Sequence, residues 1–484
     1  MKKTLILIVL LVLFVSLNAK DYKWQDEIKK YSTIFRIIKD NYPQKVETKK
    51  VVFSSIKGLL SYLDPHSYFL DPVSLRSMFE DQKGNYYGIG IRITKYEDRL
   101  TVVSPLKGTP AYRLGIMSGD VIAEIEGKDT RKMSLNDAVK MLRGEKDTIV
   151  HIKIKRQGVK ELLPFEIKRV EIPLNSVSYA LVHPMNDRIG YISVRTFGST
   201  TTDEIKKALD KMIKEHKIVG VILDLRGNPG GSLRAAIEIS DLFLPKGKVI
   251  VSIKGRRINQ TAYSMYDNQY ENLKVAVLIN RGSASASEIV AAAIKDNKAG
   301  IVLGVRSWGK GLVETVYPLK LKSALALTTA KYYTPSGKCL QRDFTKLDDY
   351  YFFFNKNYNN DDTIPGGVIP DYIVKSNTYK ELSFKFLSKG LFFRFAKKLI
   401  DSKRFKITKD FRANNDVISE FKRFLKSIKF KYDDKKFKKE ISEIAYGIEN
   451  EVLSLKFSIE EGVKVFLRDD PVSKKALEIL LNKE

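Results

Sequence analysis

Three serines lie within five residues of this sequence, where a strand-like pattern gives way to a helix-like one. Ser283, Ser285 and Ser287 occur in the segment INRGSASASEIVAAAIKDN. The run before them, KVAVLI, is typical of a short buried strand, and the run after them has the composition of a helix. A hydroxyl at such a turn lies beside free backbone N–H groups that stabilise developing negative charge. The segment therefore indicates a candidate nucleophile, while a plain helix cap is the simpler alternative for any one of these serines.

The length and composition indicate a globular protein of several domains. The chain has 484 residues, of which 43% are hydrophobic and 11% aromatic, enough to build packed cores. Its single cysteine, Cys339, excludes an intrachain disulfide framework, so the cores must supply the stability. Cysteine and histidine show no zinc-type spacing, and we therefore expect no metal and no cofactor.

The N-terminus has the pattern of an export signal. Residues 1–19 begin with Lys2 and Lys3, continue with an apolar run and end in small or polar residues up to Ala19. Leu17 fits the small residue of a cleavage site poorly, so an uncleaved membrane anchor is the alternative to a cleaved signal peptide. Both alternatives predict an exported protein.

The charge balance is strongly basic, with 85 Lys and Arg against 57 Asp and Glu. Basic stretches such as KFKYDDKKFKK would suit nucleic acid, but the export signal argues against such a partner, and we expect none. An anionic membrane surface is a better partner for an exported basic protein. A lysine-rich solvated surface without any partner is the simplest interpretation.

Changes in hydrophobic period divide the chain after the export signal into four segments. Residues 22–83 have helical apolar spacing, and residues 84–169 mix short strands with two helices. Residues 170–378 alternate strands with helices, which is typical of an α/β core. Residues 379–484 are rich in lysine and phenylalanine and have helical periodicity. The sequence thus predicts a multidomain α/β (α+β) protein with helical regions at both ends.

A series of motifs relates the sequence to a known enzyme family. From LLSYLDPHSYFLDP to GGVIPDYIV the chain resembles the C-terminal processing peptidases, or tail-specific proteases. The motifs, in order, are YYGIGIRI, GDVIAEIEG, GYISVRTFG, VILDLRGNPGG, NRGSASASEIVAAAIKD, WGKGLVETVYPL and LTTAKYYTPSGKCLQ. Such a set is far more specific than any one motif. The resemblance implies a helical N-terminal part, a PDZ domain, a crotonase-like α/β core and cleavage of proteins near their C-termini by a serine–lysine dyad. With the export signal, it implies a location in the bacterial periplasm or cell envelope.

The resemblance also implies roles for four residues of the candidate site. It makes Ser285 the nucleophile and Lys310, in the GKG stretch, the general base. Gly231 and Ala286 would supply the two backbone N–H groups that bind the oxyanion. The local sequence supports the lysine, because two glycines and a tryptophan adjoin it and no acidic residue lies within three positions. Such a setting suits desolvation, which disfavours a charged ammonium.

One further position departs from the family pattern and another matches it. It commonly carries a glutamine four residues after the lysine, where this sequence has Glu314. An ionised glutamate close to Lys310 would favour the charged lysine and weaken it as a base, so Glu314 is a doubtful third catalytic member. The alternatives are a protonated Glu314, a side chain that points away, or a slower enzyme that works at higher pH. Asp296 matches a family aspartate and is predicted to support the site from the helix after Ser285.

The PDZ-like segment suggests how substrates are recognised. By resemblance its carboxylate-binding loop lies near YGIG, where backbone N–H groups would bind a terminal carboxylate and a peptide would add as a strand. The predicted substrate-binding residues are Tyr87, Gly88, Ile89, Gly90 and Ile91. The expected partners are therefore proteins or peptides bound by their C-termini, and a homo-oligomer is left open. A glycine-kinked strand without a binding role is the alternative.

Two other functions fit parts of the sequence. A histidine-based hydrolase could pair Ser285 with His66 or His183, although both histidines lie in turn-like settings. A catalytically impaired PDZ scaffold on a protease fold is the second alternative, and Glu314 is its only support in the sequence.

Overall fold

The computed structural model describes most of the chain as two compact units. The described residues are 24–83, 85–96, 98–106, 108–156, 158–320, 322–342, 365–377 and 379–482. The units divide between Phe69 and Leu70. The predicted signal peptide or anchor, residues 1–19, lies outside the described residues and stays a prediction. Within the described ranges, no helix has the length and apolar character needed to cross a membrane.

The first unit contains two helices and a turn centred on a carboxylate. The helices are α1 (Trp24–Asn41) and α2 (Thr48–Ser61), and strand β1 (Tyr68–Leu70) follows them. Between α2 and β1, the Asp64 carboxylate accepts hydrogen bonds from the backbone N–H groups of His66 and Ser67, each at 2.7 Å. The predicted helical character of this N-terminal part is confirmed.

The second unit begins with a strand-rich module. Its elements are α3 (Pro72–Lys83), β2 (Asn85–Gly88), β3 (Ile91–Tyr96), β4 (Arg99–Pro105), α4 (Pro110–Arg113), β5 (Val121–Ile125), β6 (Lys128–Asp129), α5 (Leu135–Leu142), β7 (Ile149–Lys155), β8 (Leu163–Lys168) and β9 (Val170–Pro173). Strands β3, β4, β5, β7 and β8 form an antiparallel sheet in that order, and β2 pairs with β9. Burial alternates along β7, so one face of the sheet carries core isoleucines such as Ile152 and Ile154. β3 is the edge strand of this sheet.

The α/β core follows the strand-rich module. Its elements are β10 (Val177–His183), β11 (Asn186–Val194), α6 (Thr201–His216), β12 (Gly220–Asp224), α7 (Leu233–Asp241), β13 (Val249–Gly255), β14 (Asn259–Tyr263), β15 (Lys274–Ile279), α8 (Ala286–Asp296), β16 (Ile301–Gly304), β17 (Leu312–Leu319), β18 (Ser323–Tyr333) and β19 (Tyr372–Ile373). The central sheet has the order β10, β11, β12, β15, β16, β19, and it is parallel from β11 onward. A second, antiparallel sheet contains β17, β18, β13 and β14.

Seven helices form the C-terminal region. They are α9 (Glu381–Ser388), α10 (Leu391–Asp401), α11 (Asn415–Ser427), α12 (Asp434–Lys439), α13 (Ile441–Lys456), α14 (Ile459–Asp469) and α15 (Pro471–Leu481). Phenylalanines dominate their core, and Phe386, Phe421 and Phe437 are fully buried. The lysines of the same helices lie mostly on the surface, which explains a sequence rich in both residue types. The predicted multidomain α/β class with helical ends is confirmed.

The last helix completes the central sheet. β12 and β15 are continuous apolar runs, as expected for parallel strands that are buried on both faces. Helices α6, α7 and α8 pack against one face. On the other face, Val472, Ala476 and Leu480 of α15 pack against residues of the sheet that include Ile222 and Leu278. The lysine-rich C-terminal region therefore contributes directly to the core of the α/β domain.

A buried ion-pair group holds the same junction. Arg226, just after β12, pairs with Asp224 at 2.6 Å and with Asp470, at the start of α15, at 2.7 Å. The Tyr191 hydroxyl donates to Asp224 at 2.8 Å. Removing one member of such a group would leave an uncompensated buried charge, so the group requires that α15 be docked.

We predict a pH-dependent stability at this junction. His183 is 1% exposed and lies against α15, with Nε2 3.0 Å from Ser473 Oγ. Burial lowers the pKa of His183 from 6.5 to about 4. As the pH falls from 6.5 toward 4, the unfolded chain gains a proton that the folded chain does not, so folding loses up to roughly 3 kcal/mol. Urea unfolding of wild type at neutral pH and near pH 4.5 should show this loss.

The His183→Gln variant should lack that part of the pH dependence, because glutamine does not titrate. His151→Gln is the matched control, since the His151 side chain is 57% exposed. Equal pH dependence in wild type and His183→Gln would contradict the assignment.

Candidate active site

Two adjacent turns form the centre of the candidate site. β12 and β15 are parallel neighbours, with Asp224 opposite Leu278 near their carboxyl ends. The glycine-rich turn, residues 226–231, follows β12, and the serine turn, residues 280–287, follows β15. Because the carboxyl ends of parallel neighbours meet at one edge of a sheet, the fold brings these two motifs side by side.

The three serines have different environments. Ser283 and Ser287 are fully buried. Their hydroxyls donate to backbone carbonyls, that of Leu225 at 2.7 Å and that of Asn228 at 2.9 Å. Ser285 is partly exposed. Of the three, Ser285 is thus the one that an incoming substrate can reach, and the other two join the serine turn to the glycine-rich turn.

The backbone of Ser285 is held in an unusual conformation. It precedes α8 with φ 55° and ψ −114°. A non-glycine residue in such a region costs on the order of 1–3 kcal/mol and persists only where its surroundings enforce it. Strained residues of this kind are concentrated at functional sites, so the conformation supports Ser285 as a functional residue.

The side chain of Asn228 fixes the glycine-rich turn. It is fully buried, and its Nδ2 donates to the carbonyl of Val194 while its Oδ1 accepts from the N–H of Gly230, both at 2.9 Å. Its own carbonyl also accepts from the N–H of Ala284 at 3.0 Å. Among the residues of this turn, only Gly231 was predicted from the sequence to have a role at the site. An asparagine followed by Pro-Gly-Gly is a signal that could have identified it.

The two glycines allow the turns to approach closely. A Cβ at Gly230 would lie 2.8 Å from the Cβ of Ser285 and 2.9 Å from the nitrogen of Ala286. Gly231 has φ 145°, and a Cβ there would overlap the backbone of Phe197. Among the described residues, the backbone N–H groups of Gly231 and Ala286 have no hydrogen-bond acceptor. Both predicted oxyanion donors are therefore available beside the serine.

The buried carboxylate of Glu288 joins the serine turn to residues 307–311, which we call the lysine segment. Its Oε2 accepts from the backbone N–H of Ser285 at 2.8 Å and from that of Lys310 at 2.9 Å. Its Oε1 accepts from Ser307 Oγ at 2.5 Å and from the N–H of Gly309 at 2.7 Å. Burial raises the pKa of this carboxyl above its usual value, and the four hydrogen bonds act in the opposite direction.

This arrangement brings together two residues that are distant in the sequence. Because one oxygen of Glu288 accepts both bonds, the backbone nitrogens of Ser285 and Lys310 lie within two hydrogen-bond lengths of each other. Glu288 was not among the site residues predicted from the sequence. The Ser-x-x-Glu spacing of a capping box could have drawn attention to it, although not to its contact with Lys310.

Two glycines flank Lys310 for steric reasons. Gly309 has φ 92°, and a Cβ there would lie 2.8 Å from the Cβ of Arg342. A Cβ at Gly311 would overlap the backbone of Gln341. Residues 340–342 therefore pack directly against the GKG stretch, and only glycine on each side of the lysine permits this contact.

The side chains of Lys310 and Glu314 form an ion pair. The Nζ of Lys310 lies 2.8 Å from Oε1 of Glu314, and the two side chains are 25% and 23% exposed. Glu314 also lies near Tyr332, whose pKa is raised by burial and further by the charge of Glu314. Of the alternatives considered from the sequence, a Glu314 that points away from the lysine is wrong.

Asp296 does not lie where it was predicted. It is eleven residues from Ser285 along α8, about 15 Å at the rise of a helix, and so at the opposite end of that helix. Its Oδ2 accepts from the backbone N–H of Ser336 at 3.0 Å. The aspartate therefore holds the TPSG turn, and the expectation that it supports the catalytic centre is corrected.

The predicted carboxylate loop connects β2 to β3 in the strand-rich module. Gly90 has φ 78° and approaches Thr109 so closely that a Cβ would overlap that side chain. The hydroxyl of Thr109 donates to the carbonyl of Gly90 at 3.0 Å, and the N–H of Ala111 donates to that of Ile89 at 3.1 Å. These bonds use the carbonyl groups of the loop, and they tie it to the start of α4.

Three of the other predicted binding residues, Tyr87, Gly88 and Ile91, lie on β2 and β3, and Ile89 lies between these strands. Tyr87 and Gly88 belong to β2 and pair with β9. Ile91 and Ile93 lie on β3, where they are partly buried against the core of the module. Ile89 is fully inside that core, so its side chain is not available to a ligand. A peptide that added to this sheet would therefore run along β3, from Ile91 onward.

His183 does not have the setting that a general base for Ser285 would need. His183 bonds Ser473 on the α15 side of the central sheet. His66 belongs to the Asp64 turn of the first unit, where its backbone N–H is bound. Over the described ranges there is also no group of three or more His, Cys, Asp and Glu side chains that could hold a metal ion.

Two protein-family models match the chain. The model described as Peptidase family S41 matches residues 188–349, which include the glycine-rich turn, the serine turn and the lysine segment. The PDZ domain model matches residues 77–155, which include the loop between β2 and β3.

Similar proteins extend the match over most of the chain. The carboxy-terminal-processing protease of Bartonella bacilliformis is 38% identical over 65% of this chain and 73% of its own length. The carboxy-terminal processing protease CtpA of Bacillus subtilis is 33% identical over 72% of this chain and 77% of its own length. Among solved structures, the photosystem II D1 C-terminal processing protease is 26% identical, with a TM-score of 0.39 and coverage of 70% of this chain and 91% of that one.

We predict that Glu288→Gln loosens both segments that the carboxylate holds. A glutamine would turn an NH2 group toward two of the four donors, so that two charge-assisted hydrogen bonds are lost, at a cost of roughly 3 kcal/mol. Urea unfolding should show this loss of stability. Hydrogen exchange measured by mass spectrometry should become faster at the backbone amides of Ser285 and Lys310.

Glu460→Gln is the matched control, because Glu460 is an exposed glutamate in the first turn of another helix. Unchanged exchange at both amides in Glu288→Gln would show that the carboxylate does not hold them.

Proposed function

The chain belongs to peptidase family S41, as a carboxy-terminal processing serine protease with a PDZ domain, and from this premise we propose how it acts. Ser285 is the nucleophile and Lys310 the general base of a serine–lysine dyad. The substrate is a protein whose C-terminus is bound by the PDZ domain, and cleavage takes place near that end. The enzyme is exported to the periplasm or cell envelope.

One observation carries the assignment of the dyad. The backbone N–H groups of Ser285 and Lys310 both bind Oε2 of Glu288. A serine needs a base within reach of its hydroxyl, and a shared anchor keeps the two backbones at a constant separation. Lysine can act as that base when its surroundings release its proton.

In each half-reaction, Lys310 accepts one proton from the nucleophile and then donates it to the leaving group. The uncharged amine of Lys310 takes the proton of the Ser285 hydroxyl while Oγ forms a bond to the scissile carbonyl carbon. The electron pair of the carbonyl moves to its oxygen, which the N–H groups of Gly231 and Ala286 stabilise. The C–N bond then breaks, and Lys310 donates the proton to the leaving amine. Water repeats the sequence on the acyl group and restores the free serine.

Glu314 acts as a brake in this proposal. Its carboxylate lies 2.8 Å from the Nζ of Lys310. An ionised carboxylate at that distance favours the ammonium, and an ammonium cannot accept the serine proton. Glu314 therefore opposes the transfer of the serine proton to Lys310.

The PDZ domain supplies the recognition of substrates. A peptide adds to the open edge of β3, and its terminal carboxylate binds the N–H groups of the loop formed by residues 87–90. The bonds of Thr109 and Ala111 to that loop support this role, because they hold its carbonyl groups away from the incoming anion.

The remaining proposals concern domain bounds, location and partners. We propose a PDZ domain at 84–169 and a protease core at 170–378, between helical regions at 22–83 and 379–484. Residues 1–19 direct export or anchor the chain. The exposed lysines of the C-terminal region suit an anionic membrane surface as a further partner, and a homo-oligomer is compatible with all of these proposals.

A catalytically impaired PDZ scaffold is the second candidate function. The ion pair between Lys310 and Glu314 favours it, because a permanently charged lysine leaves the serine without a base. The two candidates differ in whether any pH releases activity.

We predict that Ser285→Ala and Lys310→Ala each lower kcat/KM by at least about a thousandfold, and that the double variant is no worse than either one, since the two residues act as a unit. The substrate is a fluorogenic peptide with an apolar, free C-terminus, tested over a wide pH range. Its C-terminally amidated form should be cleaved more slowly, because the PDZ loop would lose its anion.

Lys338→Ala is the control, because Lys338 is an exposed lysine of the same core. Activity retained by Lys310→Ala would refute the dyad. A folded wild type that binds the free peptide but cleaves it at no pH would establish the scaffold instead.

We further predict that Glu314→Gln moves the rise of activity toward neutral pH. The carboxylate of Glu314 stabilises the ammonium form of Lys310, whereas a neutral amide at the same position does not. We therefore expect a higher kcat/KM near neutral pH in Glu314→Gln than in wild type. The measurement is the pH profile of kcat/KM for both proteins on one peptide.

Glu271→Gln, at an exposed glutamate of the same core, controls for the change in net charge. Superimposable profiles for wild type and Glu314→Gln would show that Glu314 is not a brake.

A further inference from the structure

A strongly basic cavity lies between the PDZ domain and the C-terminal helices. Its volume is about 740 Å³. The PDZ wall includes Arg99 and Lys155, and the helical wall includes Lys389, Lys397 and Lys398. Asp401 is the one acidic residue among the fifteen that line it. None of the residues that line it belongs to the serine turn, the glycine-rich turn or the lysine segment, and the proposed reaction does not use it.

Composition alone does not account for this charge. Lysine and arginine are 85 of the 484 residues of the chain, but they are seven of the fifteen residues that line the cavity. The enrichment is therefore more than twofold over a chain that is already basic. A solvated lysine-rich surface would not concentrate cations in a concave site in this way.

Most of these cations have no anionic partner. Arg156 is an exception, because it pairs with the buried Asp120 at 2.7 Å. Within the part of the chain that the structure describes, no carboxylate lies within 4.0 Å of the side-chain nitrogens of Arg99, Lys155, Lys389, Lys397 or Lys398. The cavity thus carries several uncompensated positive charges that face a common space.

The charges come from two separate parts of the fold. Lys397 of α10 reaches the PDZ domain, and a Cβ at Gly119 would lie 2.9 Å from its Nζ. Beside the cavity, the rings of Tyr96 and Phe393 stack across the same boundary, with centroids 6.3 Å apart. Like charges on opposing walls repel each other, whereas an anion bound between the walls would attract the cations of both.

We propose that this cavity binds a polyanion with at least two phosphate groups, and that the ligand holds the PDZ domain against the C-terminal helices. The volume lies within the usual range for small-molecule sites, and lysine and arginine are the usual ligands of phosphate. A single phosphate would fill only a small part of this volume and would pair with few of the seven cations, whereas linked phosphates can pair with several of them. A free oligophosphate and the two-phosphate headgroup of a lipid share this chemistry.

Calorimetric titration of the full chain with tripolyphosphate tests the proposal. The double variant Arg99→Gln/Lys397→Gln removes one cation from each wall and should weaken binding at least about tenfold. The double variant Lys435→Gln/Lys438→Gln removes the same charge from exposed positions on α12 and should bind like wild type. Arg99→Gln alone, at an exposed residue, serves as a second test should the double variant fail to fold.

The outcomes are distinct. Equal weakening in both double variants would reveal only general charge attraction and would overturn the proposal, as would orthophosphate binding as tightly as tripolyphosphate at matched ionic strength. Flotation with phosphatidylcholine vesicles that contain cardiolipin gives the second arm. Vesicle binding that depends on Arg99 and Lys397 would assign the ligand to a lipid headgroup, and tripolyphosphate binding alone would assign it to a free oligophosphate. Absence of binding in both arms would refute the site.

Discussion

The buried carboxylate of Glu288 makes the contacts on which the geometry of the proposed active site depends. A buried carboxylate is costly unless donors surround it, and Glu288 accepts four hydrogen bonds. One comes from a backbone N–H of the serine turn, and the lysine segment supplies two backbone N–H groups and one hydroxyl. If either the serine turn or the lysine segment moved away, charge would be left unpaired in the interior. The cost of burying Glu288 therefore becomes a constraint that keeps the two segments together, and it also sustains the strained backbone of Ser285.

Buried charges also constrain the junction between the central sheet and the C-terminal region. Arg226 lies in the glycine-rich turn, and its partners are Asp224 of the sheet and Asp470 of the helical region. The ion pairs of Arg226 and the apolar face of α15 stabilise the start of the glycine-rich turn. The same turn continues to Asn228 and the two glycines. A region that is distant in sequence thus contributes to the shape of the edge of the sheet that carries the candidate site, and the lysine-rich helices are an integral part of the core.

Charge has two roles in this molecule. Inside the core, each buried acidic group that we describe is compensated, as for Glu288 with its donors and Asp224 with Arg226. At the boundary between the PDZ domain and the helices, positive charges face each other with little compensation. The net charge of +28 is therefore not spread evenly over a surface, and its local concentration is what suggests an anionic ligand.

The sequence by itself determined the class of fold, the order of the domains and the identity of the family, because apolar periodicity and spaced motifs are local properties of the chain. It also placed the serine turn after a run typical of a buried strand, and the parallel pairing of β12 with β15 then made this turn a neighbour of the glycine-rich turn. Only the tertiary structure decided which carboxylate binds the backbone of both Ser285 and Lys310, since hydrogen bonds between distant segments leave no periodic signal. The resemblance to the family placed Asp296 near the site, whereas in the fold Asp296 lies at the end of α8 opposite Ser285 and binds Ser336. The pairing of Glu314 with Lys310 was one of several alternatives until the folded backbone brought their side chains within 2.8 Å.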